Sequence, residues 1–249
     1  MALRGGLPTE NGFVGVEGVR LVEEALRSGC RIHAVLFSES GERHHERLAS
    51  FIDRPEMAFP VLRTTDRLFE GLADTEHPQG VVAVVEPRVW SLADVPVGRG
   101  SVVLVLDSVQ DPGNVGAMLR TALGLGAAGV VALKGTAELT NPKVLRGSMG
   151  AVFRLPAVST DADALLAWAG ERGVELWVTA ANGQPAGSLG ARSTRPPIAL
   201  VLGNEGAGVG AALEAAARRR VAIPLAPGVE SLNVAVAAGI LLHEVTRDT

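Results

Sequence analysis

The residues of this chain that are best suited to chemistry lie in three separated segments of its second half. These segments are Asp111–Asn114 with Arg120 shortly after it, then Gly203–Gly206, and finally Ser231–Asn233. They offer amide, hydroxyl and carboxylate groups and one guanidinium group, which are the donors and acceptors that hold phosphates and hydroxyls. We therefore expect these segments to contribute to a ligand-binding site that can hold an anion.

Arg120 is the most unusual of these residues. It is the only charged residue between Asn114 and Val131, in a stretch with the spacing of a helix. Because an unpaired charge is costly to bury, Arg120 is expected to face an anion or a buried partner. The turn Asp111–Asn114 also has a purely structural explanation, since Asn114 is a natural N-cap for the helix that follows.

The other two segments also have both a functional and a structural interpretation. Glu205 lies between glycines directly after the apolar run 198–202, where a small backbone lets a ligand approach closely. An ordinary turn with an exposed glutamate is the alternative. Ser231 is the expected N-cap of the last helix, and Asn233 projects from its first turn. Between these segments, the proline-containing loop Ile223–Gly228 has backbone groups suited to reading an adenine edge.

Three other clusters contain residues of chemical interest. Lys143 and Arg146 lie at i and i+3 on a short predicted helix, a spacing that suits a phosphate path. The run Gly124–Gly129 matches the dinucleotide pattern G-x-G-x-x-G, but it follows a helix and leads into a strand, so we interpret it as a helix end. Arg218–Arg220 is interpreted as the solvated end of a helix, where the positive charges interact favourably with the helix dipole.

The order of predicted elements divides the chain in two. Pro and Gly residues precede a strongly apolar run that begins at Val102, so one domain is expected at residues 1–95 and a second at residues 100–249. The first domain has predicted helices at 17–27 and 43–51 and predicted strands at 32–37 and 81–85. In the second, strands and helices alternate, which predicts an α/β fold with a parallel sheet and ligands beyond the carboxyl ends of its strands.

Composition excludes several classes of protein. The chain has 249 residues and a formal net charge of −4, so it is not a broadly basic nucleic-acid binder. Residues 1–99 hold 11 Arg against 15 Asp and Glu, whereas residues 100–249 hold 12 Lys and Arg against 12 Asp and Glu. The single Cys30 and five scattered histidines form no disulfide or zinc pattern, so no metal is expected. No membrane helix or signal peptide is evident, which favours the cytoplasm.

Taken in order, the three segments resemble the three motifs of the SpoU (TrmH-like) RNA ribose 2′-O-methyltransferases of the SPOUT superfamily. The resemblance implies an α/β catalytic domain with a deep trefoil knot, S-adenosylmethionine as cofactor, and a homodimer formed through the C-terminal domain. It further implies catalytic roles for Asn114, Arg120, Glu205, Ser231 and Asn233 and cofactor contacts from Thr179, Gly203, Ile223, Leu225 and Leu232. Lys143 and Arg146, between the first two motifs, are the expected RNA-binding residues.

The N-terminal half resembles, more loosely, the L30e-like substrate-binding domain that precedes the SpoU domain in rRNA methyltransferases. This second resemblance favours 23S ribosomal RNA as the substrate. A tRNA ribose 2′-O-methyltransferase and a non-catalytic RNA-binding module remain as alternatives. A nucleotide-binding dehydrogenase would need its glycine-rich loop directly after a strand, and Gly124–Gly129 is misplaced for that role.

Overall fold

The computed structural model describes residues 12–54, 59–185, 192–204 and 206–247. Its strands are β1 (Val14–Glu17), β2 (Arg31–Ser38), β3 (Val61–Thr64), β4 (Val81–Glu86), β5 (Val102–Leu106), β6 (Gly129–Leu133), β7 (Ala157–Thr160), β8 (Glu175–Pro185), β9 (Ile198–Leu202) and β10 (Arg219–Ala222). Its helices are α1 (Val19–Arg27), α2 (His45–Ile52), α3 (Asp66–Leu72), α4 (Pro112–Gly124), α5 (Pro142–Ser148), α6 (Ala151–Arg154), α7 (Ala162–Arg172), α8 (Ala211–Ala216) and α9 (Val234–Thr246). In the described part, no helix has the length and apolar character needed to cross a membrane.

The chain forms two compact units. The first comprises Met1–Val89 together with Thr140–Arg154, and the second comprises Trp90–Leu139 and Leu155–Thr249. The segment Thr140–Arg154, which the sequence assigns to the second domain, therefore packs with the N-terminal residues. The reason is apolar burial, because Leu145 of α5 and Phe153 of α6 belong to the core cluster of the first unit.

The first unit is built on a mixed four-stranded sheet in the order β1-β4-β2-β3. Strand β4 pairs antiparallel with both β1 and β2, and β2 pairs parallel with β3. The sequence predicts a helix from Glu17, but Glu17 ends a strand, and α1 begins at Val19. Gly18 separates the two elements with a φ of +97°, a backbone conformation that only glycine adopts readily.

The second unit contains a six-stranded sheet in the order β10-β8-β9-β5-β6-β7. Every strand pair in it is parallel, which confirms the predicted α/β architecture. All five residues of β5 and all five of β9 are buried, as expected for central strands covered by helices on both faces. The carboxyl ends of all six strands therefore lie along one edge of the sheet.

Two helix starts differ from the sequence-based prediction. Asp111, rather than Asn114, is the N-cap of α4, because its side chain accepts a hydrogen bond from the Asn114 nitrogen and Pro112 starts the helix. Asn233, rather than Ser231, is the N-cap of α9 and accepts from two backbone nitrogens. The run Gly124–Gly129 is the end of α4 and the turn into β6, as the sequence predicts.

Candidate functional site

The predicted cofactor and catalytic segments meet at the carboxyl edge of the six-stranded sheet. Leu106 of β5 pairs with Leu202 of β9, and Val178 of β8 pairs with Val201 of β9. Gly203 consequently lies directly past the end of β9, and Thr179 lies within β8, one position after the residue that pairs with Val201. Parallel α/β sheets bind ligands in this position.

The first and third motifs are in direct contact. The side-chain amide of Asn233 donates a hydrogen bond to Oδ1 of Asn114 at 3.0 Å. Asn114 lies in the first turn of α4, and Asn233 caps α9, so the amino ends of two helices of 13 residues each are joined there. Helix amino ends carry partial positive charge, so this junction favours an anion such as a phosphate.

Arg120 lies on the same helix as Asn114 but not beside it. Six residues of α-helix separate them by about 9 Å along the axis and by about 120° around it. Arg120 is exposed, and it forms no ion pair within 4 Å among the residues that the structure describes. The sequence leaves two environments open for Arg120, a buried partner or an external anion. Within the described residues it has no buried partner, and its solvent-facing position suits an external anion.

Gly203 is required by the chain's own backbone. A Cβ atom at this position would clash with the carbonyl group of Gly208 and the nitrogen of Val209. The segment that follows β9 folds back tightly, with Asn204 and Gly208 joined by two backbone hydrogen bonds of 3.1 and 2.9 Å. The sequence predicts that a ligand's approach requires glycine here, but the contact that requires it is internal.

Asn204 holds this loop in place through side-chain hydrogen bonds that residue spacing does not predict. Its Oδ1 accepts hydrogen bonds from the nitrogens of Gly206 and Ala207, and its Nδ2 donates to the Ser108 carbonyl at 3.0 Å. Ser108 is the second residue after the end of β5 and has a φ of +60°, unusual for a residue with a side chain. The loops after β5 and β9 are thereby tied together at the candidate site.

A second tie joins the same two loops. Oδ2 of Asp107 accepts a hydrogen bond at 2.7 Å from the nitrogen of Gly210, the N-cap residue of α8. In the sequence, this contact is indicated by an aspartate that directly follows an apolar strand. Its partner, however, lies more than 100 positions away and is identified only by the fold.

The remaining predicted cofactor residues lie around the same edge. Thr179 is half-buried within β8, which continues to Pro185 instead of ending where the sequence predicts. Ile223 directly follows β10 and Leu232 immediately precedes the cap of α9, and both are half-buried. Leu225 is 36% exposed. Ile223, Leu225 and Leu232 offer apolar side chains that suit the flat face of a nucleoside.

The other predicted site residues are placed as follows. Ser231 is exposed, two positions before the cap of α9, whereas Glu205 lies outside the described residues. Lys143 and Arg146 lie on α5, which belongs to the first unit rather than to the strand ends. Arg146 forms an ion pair of 2.8 Å with Asp74 of that unit. The predicted RNA-binding pair is therefore part of the N-terminal unit.

Comparisons with known families match both units. Residues 101–243 match the SpoU rRNA methylase family. Residues 16–89 match the family described as RNA 2′-O ribose methyltransferase substrate binding. The two matches correspond to the six-stranded and four-stranded sheets, respectively.

Curated relatives cover nearly the whole chain. It is 35% identical over 231 residues to the 23S rRNA (guanosine(2553)-2′-O)-methyltransferase RlmP of Bacillus subtilis strain 168, covering 92% of this chain and 87% of the relative. It is 32% identical to the 23S rRNA (uridine(2479)-2′-O)-methyltransferase of Streptomyces viridochromogenes, covering 96% of this chain and 84% of the relative. These two relatives are named for the ribose 2′-oxygen of different nucleosides, a guanosine and a uridine, so the similarity identifies the reaction rather than the target nucleotide.

Solved structures show the same fold. The AdoMet-bound rRNA methyltransferase of Sinorhizobium meliloti superposes with a TM-score of 0.84 at 29% identity, covering 95% of this chain and 87% of that chain. The SpoU methyltransferase AviRb of Streptomyces viridochromogenes, in complex with AdoMet, gives a TM-score of 0.82 at 28% identity, covering 95% and 90%.

Proposed function

Because the chain belongs to the SpoU rRNA methylase family, we propose that it transfers the methyl group of S-adenosylmethionine to a ribose 2′-hydroxyl of 23S ribosomal RNA. The observation that carries this proposal is the contact of 3.0 Å between Asn233 and Asn114. It joins the first and third motifs at the strand ends, where two helix amino ends favour a phosphate beside the reacting ribose.

S-adenosylmethionine supplies an electrophilic methyl group whose carbon–sulfur bond breaks as the carbon–oxygen bond to the ribose forms. The protein residues must hold the 2′-oxygen in line with that bond and stabilise the negative charge that develops when the hydroxyl proton leaves for solvent. Asn114, Ser231 and Asn233 are proposed to orient the ribose and its phosphate. Ile223, Leu225, Leu232, Thr179 and the backbone at Gly203 are proposed to hold the nucleoside part of the cofactor.

Arg120 is assigned to the RNA side of the reaction. An arginine side chain stays protonated in proteins, so it is a poor base for the 2′-hydroxyl. Its planar, charged group is well suited to anchoring a phosphate and stabilising an alkoxide. Its exposed position on α4 supports contact with a ligand rather than with the protein's own core. Glu205, by its place in the second motif, is proposed to orient Arg120 or the ribose.

Four further properties are proposed. The catalytic unit threads its C-terminal segment through a deep trefoil knot, and the N-terminal unit has an L30e-like fold. Two chains pair through the catalytic unit, because α9 presents Val236 and Ile240, which are 52% and 39% exposed, on one face. A cytoplasmic location is proposed as well, because the proposed substrate is ribosomal RNA.

Methyl transfer to a transcript tests the proposed function. Unmodified 23S rRNA, transcribed in vitro, is incubated with the full-length protein and S-adenosylmethionine labelled in the methyl group. The label is expected in one alkali-resistant dinucleotide, because a methylated 2′-oxygen cannot attack the adjacent phosphate. Label on a base, or transfer to tRNA in place of 23S rRNA, would contradict the proposal.

A further inference from the structure

The first unit contains a cationic pocket at the end of its sheet where β1 leads into α1. The pocket has a volume of about 450 Å³, within the range of about 300–1,000 Å³ that is usual for small-molecule sites. Its polar lining includes Arg20, Arg47, His77, Gln79 and Arg146. Arg146 comes from α5, so residues distant in sequence converge on this one cavity.

The mouth of the pocket is fixed by a contact between two loops. Gly18, the N-cap residue of α1, has no side chain to satisfy the first helical nitrogen. Gln79, from the loop before β4, supplies the missing acceptor, because its Oε1 accepts from the nitrogen of Val19 at 3.0 Å. The start of α1 and the loop that contains His77 are consequently held together as two sides of the cavity.

Two of the pocket's three arginines are held by carboxylates. Arg47 pairs with Glu23 at 2.5 Å, and Arg27 pairs with the same carboxylate at 2.7 Å. Burial raises the pKa of Glu23, but the hydrogen bonds from Arg47 and Arg27 outweigh this effect and hold the pKa below its ordinary value. Arg146 is fixed by Asp74 at 2.8 Å. These two arginines therefore have restricted positions.

Arg20 differs from Arg47 and Arg146 in its surroundings. It is exposed, and no carboxylate of the described chain lies within 4 Å of its guanidinium group. The one acidic residue that lines the pocket is Glu17, whose carboxylate already accepts hydrogen bonds from the Asp74 and Thr75 nitrogens and the Thr75 hydroxyl. Because Glu23 and Asp74 neutralise Arg47 and Arg146, the unpaired positive charge of this cavity comes from Arg20.

Met149 adds an apolar surface to the charged lining. It lies between α5 and α6 with a φ of +51° and is 37% exposed. Its flexible thioether makes favourable contacts with flat aromatic rings. The pocket therefore combines a cation free to pair with an anion and an apolar surface suited to a ring.

We infer that this pocket takes one unstacked nucleotide of the RNA substrate, with its phosphate against Arg20 and Arg146 and its base against Met149. RNA recognition commonly targets bases that are splayed out of the helix, and arginine binds phosphate through paired hydrogen bonds. The inference rests on the proposed function in that the ligand is RNA. It adds the site in the N-terminal unit at which a nucleotide other than the methylated one is held.

The test compares three full-length variants by their binding to the unmodified 23S rRNA transcript at several salt concentrations. Arg20→Ala is expected to weaken binding about tenfold and to reduce the salt slope by about 0.7, the contribution of one phosphate contact in single-stranded RNA. Met149→Ala is expected to weaken binding severalfold at an unchanged slope, because no charge is lost. The matched control is Arg31→Ala, which also removes one exposed arginine of the same unit.

Arg31 is a suitable control because of its position in the sheet. It pairs with Glu86 in the β2–β4 ladder, whereas Phe37 pairs with Val81 at the end where the pocket lies. Its side chain is 77% exposed, and its ion pair with Glu86 is long, at 3.5 Å. Arg31→Ala therefore tests for general loss of positive charge and is expected to leave RNA affinity within twofold of the wild type.

The outcomes separate this inference from the proposed function. Wild-type methyl transfer together with equal affinities and salt slopes for Arg20→Ala and Arg31→Ala would overturn the pocket assignment alone. Failure of the wild type to bind S-adenosylmethionine in calorimetry would overturn the proposed function, while the transcript-binding comparison would still report on the pocket. Binding of free AMP that Arg20→Ala abolishes, with unchanged RNA affinity, would assign the pocket to a free nucleotide and overturn the inference. A wild type that does not bind the transcript would overturn both.

Discussion

Asn233 has two contacts that substitutions can separate. Its Oδ1 caps α9 by accepting from the nitrogens of Ala235 and Val236 at 2.9 and 3.2 Å, and its Nδ2 donates to Asn114 at 3.0 Å. Asn233→Ala removes both contacts. Asn233→Asp keeps the cap, and its negative charge suits the helix amino end, but it loses the amide donor and repels a phosphate.

The two variants are expected to lose different amounts of folding stability. Loss of an N-cap costs about 1 kcal/mol, and loss of an exposed side-chain hydrogen bond costs about 1 kcal/mol at most. Asn233→Ala is thus expected to destabilise the protein by about 2 kcal/mol, or about 6 °C in Tm for a unit of this size. Asn233→Asp is expected to lower the Tm by no more than about 3 °C, because the cap is retained and only the hydrogen bond to Asn114 is lost. Both variants are expected to lower kcat about 100-fold, the usual order of the cost of misplacing a reacting group.

Thermal unfolding and methyl-transfer kinetics on the same preparations measure these effects. The informative result is a stable Asn233→Asp variant that binds S-adenosylmethionine normally yet is nearly inactive. If Asn233→Asp retained wild-type kcat, the amide would be only a helix cap, and the assignment of the Asn114–Asn233 junction to substrate binding would be refuted. If it were destabilised as much as Asn233→Ala, the separation of the two contacts would be wrong.

Three further predictions concern the catalytic unit. Arg120→Ala is expected to lower kcat by at least about 100-fold with S-adenosylmethionine affinity unchanged, and lysine is not expected to rescue it; substantial activity with saturating RNA would refute the assignment. Gly203→Ala should destabilise the protein by about 1–3 kcal/mol and weaken cofactor binding measured by calorimetry, because its Cβ meets backbone, whereas Gly206→Ala should be tolerated. Replacing Val236 and Ile240 together by glutamate should yield monomers in sedimentation experiments, and an unchanged dimer would place the interface elsewhere.

Local chemistry and order along the chain were sufficient to predict much of this protein. The alternation of apolar strands with helices predicts the parallel sheet, because strands covered by helices on both faces are predominantly apolar. The position of Gly124–Gly129 after a helix correctly excluded a dinucleotide loop. The three motifs identified the family, since the order of Asn114, Glu205 and Asn233 with their neighbours is a property of sequence alone.

The residues at which α4 and α9 begin, and the role of Gly203, could be determined only from the three-dimensional structure. Asp111 and Asn114 are both good caps by composition, as are Ser231 and Asn233, and the choice depends on which side chain reaches a free backbone nitrogen. Gly203 is constrained by the returning backbone of its own loop, a contact that residue spacing does not reveal. In each case, several local arrangements satisfy the same sequence, and packing selects one.

The division of the chain was decided by tertiary structure. The sequence places Lys143 and Arg146 with the catalytic half because they lie between its motifs. Leu145 and Phe153, however, are buried in the core of the N-terminal unit, and α5 thereby brings Arg146 to the same pocket as Arg20. Sequence determines which residues are apolar and which are charged, but burial of apolar surface between distant segments determines where their charged neighbours act.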